Sequence, residues 1–175
     1  MVERIQSYAA PPLAALAEPS AAAPTARSGP RAAGNSGQRQ AVLTASDGGK
    51  LMLRLTLGLL ILMHGFSKLV AGPGPILDLM TEHSLPPAFA YFVYVGEVAA
   101  PLLLIVGLWT RPAALIVAVN MIVAVLLVHT AQLFMLSQTG GWALELQGFY
   151  LFMALAIALL GAGRISLGGK NGVFN

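Results

Sequence analysis

Three ionisable residues interrupt an otherwise apolar stretch, Leu51 to Val70 (LMLRLTLGLLILMHGFSKLV): Arg54, His64 and Lys68. At 100° per residue they fall within an arc of roughly 80° on one helical face. Imidazole and ammonium groups can donate hydrogen bonds to a carbonyl, and a nearby carboxylate could relay protons. The carboxylate nearest to hand is Glu97, in a second apolar run that also holds Tyr94. A third run adds Asn120 and His129, and a fourth adds Glu145, Gln147 and Tyr150. Ionisable groups inside a bilayer are costly and usually pair with one another or line a cavity.

Depth sorts these residues into a candidate site. At 1.5 Å per residue from the outer helix ends, His64 lies about 9–12 Å deep, Glu97 about 13 Å and His129 about 10 Å. Tyr94 and Gln147 come near 9 Å, Tyr150 near 13 Å and Lys68 at roughly 3–6 Å by the same arithmetic. His64, Lys68 and Glu97 are the candidate reactive groups; Tyr94, His129, Gln147 and Tyr150 are the candidate pocket lining. Plainer readings stand beside these. Glu97 with Lys68 is equally an internal ion pair that fixes helix register. His64 is as readily a hydrogen-bonded interface residue, and His129 a group that snorkels. Asn120 reads as packing glue in the inner half, Glu145 as a helix cap, and Arg54 and Arg111 as anchors at lipid phosphate.

The elements that must position these groups are membrane spans. Of 175 residues, 57% are hydrophobic and 10% charged, against about a quarter charged in soluble domains. Twenty helical residues cover about 30 Å, the thickness of the hydrocarbon layer. The expected spans are 51–70, 88–109, 113–136 and 142–162, with turns at Thr110–Pro112 and Ser137–Gly141. Loops that short make neighbours antiparallel, so the expected fold is all-α, an antiparallel four-helix membrane bundle. Gly72 to Pro75 stop the first span, and Ile76 to His83 is expected as a short amphipathic turn at the membrane surface. Gly58 and Gly65 mark where another backbone could approach the first span, and Gly96 and Ala100 do so for the second.

Residues 1–49, rich in Ala, Pro, Ser and Gly, read as a disordered tail without a signal peptide. Residues 50–168 form the membrane domain and 169–175 a short tail. Most Lys and Arg fall on the side of the termini and the middle loop, which puts both termini in the cytoplasm. The chain has no cysteine, so its own residues supply no disulfide, thiolate-ligated cluster or thiol exchange.

The first-span pattern RLTLGLLILMHGFSKL, then GEVAAPLLLIVGLWTRPAAL, then VAVLLVH together resemble the DoxX family of small bacterial membrane proteins. The resemblance spans about residues 51–168 and rests on Arg54, Gly58, His64, Gly65, Lys68, Glu97, Gly107, Thr110, Arg111 and His129. Ala99-Ala100-Pro101 departs from it, since relatives often have glycines there. The resemblance implies an inner-membrane, quinone-linked oxidoreductase subunit, or the membrane anchor of a soluble oxidoreductase; some relatives are linked to oxidative stress. Quinone is the expected cofactor. Haem between His64 and His129 is a weaker variant, and no metal is expected. Expected partners are membrane lipid, a soluble oxidoreductase and further copies of the chain, with no nucleic acid. A non-catalytic scaffold or assembly factor is the alternative, and a small-solute transporter comes after it.

Overall fold

The computed structural model describes residues 31–169, 172, 174 and 175, with side chains from residue 45 onward. Helix α1 covers Arg31–Ala71. A short helix α2, Gly74–Glu82, follows the break at Gly72 and Pro73. Residues 87–106 form one continuous helical rod with four parts: a 3-10 turn (Pro87–Phe89), α3 (Ala90–Tyr94), a π turn (Val95–Ala99) and α4 (Ala100–Val106). Helix α5 covers Thr110–Val128 and α6 covers Glu145–Leu160. Among the described residues, three helical stretches are long and apolar enough to cross a membrane: Ala45–Ala71, Pro87–Val106 and Thr110–Val128. With 16 residues, α6 is apolar but shorter.

The packing closes a ring in which α1 meets α4 and α6, and α5 meets α4 and α6. Contacts at both ends show the directions. Arg54 near the start of the first span reaches Ala162 beyond α6, while Lys68 near its end reaches Glu97. Leu57, Ile61, Leu104, Val117, Met153 and Ile157 fill the centre. In lipid, apolar transfer gives little drive for such contacts, so close packing and hydrogen bonds must supply the cohesion. The expected glycine contacts are there. A Cβ on Gly58 would meet Ile105 Cγ1 at 2.7 Å, and one on Gly65 would strike the backbone carbonyl of Glu97.

Several expectations change. Helix α1 begins at Arg31, so residues 31–49 are helical although their composition reads as disordered. No proline falls between Pro30 and Pro73, and extending an existing helix avoids the cost of a new nucleus. Residues 1–30 lie outside the described residues. The third span stops at Val128 rather than Leu136, and the fourth starts at Glu145 rather than Trp142. The intervening loop is ordered by the Leu136–Trp142 bridge, by Ser137 N–H donating to Gly141, and by Trp142 Nε1 donating to Leu133. Glu145, expected as a helix cap, instead accepts from the Trp142 N–H of this loop, and no side chain caps the start of α6. The middle turn is Gly107 to Trp109, with Thr110 already helical. Finally, the chain end folds back: Asn175 accepts from the Thr110 N–H and donates to the Gly107 carbonyl.

Because the Gly65 contact is with backbone that cannot swing aside, Gly65→Ala should destabilise the bundle by about 1–3 kcal/mol. Gly74→Ala, where a Cβ meets open space, should be near neutral. Thermal unfolding of both variants in one mild detergent compares them.

Candidate functional site

The site is built on the π turn. Pro101 has no N–H to return to Glu97 four residues earlier, and its ring would crowd that carbonyl. The helix widens instead, and Ala100 N–H bonds back to Val95, five residues away. The freed Glu97 carbonyl lies against Gly65 of α1. Widened turns of this kind often carry functional groups, because they redirect a side chain without ending the helix.

The redirected side chain is that of Glu97, only 4% exposed. Lys68 Nζ donates to its Oε1 at 2.5 Å, and Asn120 Nδ2 donates to the same oxygen at 3.3 Å. The other oxygen, Oε2, is buried with no hydrogen-bond partner among the described residues. Asn120 can come this close because residue 96 is glycine; a Cβ there would stand 2.5 Å from Asn120 Cγ. Lys68 remains 41% exposed at its side chain, so one end of the pair is sealed and the other is accessible. Tyr94 sits beside it, its hydroxyl 3.5 Å from the Lys68 carbonyl.

The pair lies in the wall of a groove of about 860 Å³, within the range of about 300–1,000 Å³ usual for small-molecule sites. Residues Lys68 to Gly72, α2, the α3–π segment and α5 from Leu115 to His129 enclose it. Its polar groups are few and its walls are Ile, Leu, Val, Phe and Met. Ile76 and Met80 of α2 are buried against Ala90, Val93 and Leu127, which seats α2 across the end nearest His129. The groove's edges, Phe92, Leu115, Val119 and Val123, are exposed. They lie on the flanks of apolar spans, so the groove opens sideways toward lipid.

The sequence-derived residues separate into three groups. Lys68 and Glu97 meet, with Tyr94 adjacent. His129 caps the end of α5 rather than lying deep; its Nδ1 is 3.1 Å from Gln132 Oε1 and its Nε2 is 3.4 Å from Gln147 Nε2. Among these, Lys68, Glu97 and His129 line the groove. His64 is exposed and lies edge-on to Tyr150, with ring centroids 6.1 Å apart, outside the groove lining. Arg54 also departs from expectation. It is 1% exposed, and its guanidinium donates to the Ala162 and Ile165 carbonyls at 2.5 and 3.0 Å. It is therefore a clasp on the chain leaving α6 rather than a lipid anchor, and Gly107 leaves room for it.

Asn120 is the residue that pattern reading misplaced. A third span running to Leu136 puts it in the inner half. The real helix puts it about 15 Å from Thr110 and about 12 Å from Val128, at the level of Glu97. Pro101, four residues after Glu97, is the sequence signal for the widened turn that carries the glutamate, not for the end of α5.

All-helical architecture and three membrane-length apolar helices among the described residues mark an integral membrane protein. Residues 49–130 match the family model described as DoxX, so this segment of the chain is a DoxX domain. That segment carries Lys68, Glu97, Asn120 and every element around the groove. Comparison with curated proteins and with solved structures returns no match.

Replacing the clasp tests its role. Arg54→Met leaves two carbonyls without their charged donor and should cost about 3 kcal/mol, given about 1.5–3 kcal/mol per charged hydrogen bond. Arg111→Met, at an exposed position, should stay within about 0.5 kcal/mol of the parent. Melting temperatures in detergent provide the readout.

Proposed function

We propose that this protein is a quinone-linked redox subunit, or the membrane anchor of a soluble oxidoreductase, and that the lateral groove is its quinone site. The observation that carries the reading is a groove walled by apolar side chains, opening toward lipid, with one buried carboxylate and one accessible ammonium in its wall. A lipid-soluble quinone needs contact area for its ring and tail, which the apolar walls offer, and a hydrogen-bond donor for its oxygens, which the ammonium offers. Lys68 would donate to a ring oxygen, Asn120 and the π turn would hold Glu97 in place, and His129 would border the outer end. The quinone would supply the electron-carrying chemistry, while the side chains named here bind, orient and exchange protons. In this reading four spans cross a bacterial inner membrane, both termini are cytoplasmic as the Lys and Arg distribution favours, and the groove lies in the outer half.

The reading that the polar layer only fixes the bundle has support of its own, since a buried ion pair can specify packing without chemistry. Quinone titration separates the two. Saturable binding is expected with the parent and with His64→Ala, whose side chain lies outside the groove. Lys68→Met should weaken it by about tenfold, the equivalent of one charge-assisted hydrogen bond. Absence of saturable binding in a folded, detergent-solubilised parent protein favours the scaffold reading.

A further inference from the structure

We infer that the groove selects the reduced, hydroxyl-bearing form of its ligand, a hydroquinone, over the oxidised dicarbonyl form; this rests on the quinone reading above. The inference comes from how the donors around Glu97 are distributed. A carboxylate only accepts hydrogen bonds, and its two oxygens offer about four lone-pair sites. Here Lys68 and Asn120 both donate to Oε1, and Oε2 is buried with no partner among the described residues. A buried, unpartnered carboxylate oxygen is expensive, and the group that relieves it must bring a donor. None of the groove's apolar wall residues can do so.

The two redox forms of a quinone differ in this respect. The oxidised ring presents only acceptors. It can receive a hydrogen bond from Lys68, but a carbonyl oxygen directed at Glu97 meets a second acceptor. The reduced ring carries O–H groups. One hydroxyl can donate to the carboxylate while its oxygen accepts from Lys68, so both members of the ion pair are served. Hydrogen bonds to an ionised acceptor are the stronger kind. Oε2 has almost no accessible surface, so the carboxylate must turn about its last torsion to present an oxygen to the groove. That torsion is broad rather than confined to sharp wells, so a partial turn toward the groove is open to it. Lys68 can follow because its side chain is 41% exposed.

The test uses the full chain in nanodiscs under anaerobic conditions, with three ligands sharing one ring and one short isoprenoid tail. These are the quinone, its hydroquinone, and the hydroquinone dimethyl ether, which keeps shape and apolarity but has no O–H. Calorimetric titration should show the hydroquinone binding about tenfold or more tightly than the other two, as one hydrogen bond to a charged group allows. In Glu97→Leu the three affinities should converge. The ligand comparison needs no variant, so it stands even if Glu97→Leu fails to fold. Equal affinities, or tighter binding of the quinone, would overturn the inference and leave the quinone site intact. No saturable binding by any of the three would overturn both.

Discussion

A carboxylate buried midway along a membrane-length helix is the constraint around which the rest of this structure is arranged. A charge there is tolerated only if it is paired and its neighbours are held close. Lys68 supplies the charge and Asn120 a second donor. Both depend on backbone positions that a larger residue would block: Gly65 against the Glu97 carbonyl, and Gly96 against Asn120. Pro101 opens the helix turn that carries Glu97. Removing any one of these parts would disturb the others.

The two ends of the ring are built differently. At one end, Arg54 is buried and clasps the chain beyond α6, Asp47 pairs with Arg164, and Asn175 closes on the Gly107–Thr110 turn. Hydrogen bonds across sequence-distant segments tie that end together. At the other end, α2 is seated by a small apolar cluster, and α5 and α6 are joined by a loop that exposes Phe134 and Leu136. The groove belongs to this second end, between an amphipathic helix held by few contacts and two well-packed spans. Of the elements that enclose the groove, α2 is the wall least tightly tied to the rest.

Helix periodicity and depth were good guides where helices are regular. The Lys68–Glu97 pair and the approaches at Gly58, Gly65 and Gly96 were legible because each follows from 100° per residue and the cost of a lone charge in lipid. His64 was grouped with Lys68 on the same arithmetic, yet 40° around a helix separates the side that meets the α3–π segment from the side that meets α6. The error with Asn120 and His129 had one cause: apolar residues 133–136 extended the third run into what is a loop. Every depth on that helix was shifted as a result.

From the sequence alone came the solvent this chain lives in, the spans and the charges that must find partners, because hydrophobicity and charge cost are properties of residue types. The tertiary structure decided which partners they found, that Arg54 faces carbonyls rather than lipid headgroups, and that a groove flanks the ion pair. Those depend on where a helix widens or ends and on which face of each rod meets a neighbour. Such outcomes depend on several segments at once, and no single stretch of chain encodes them.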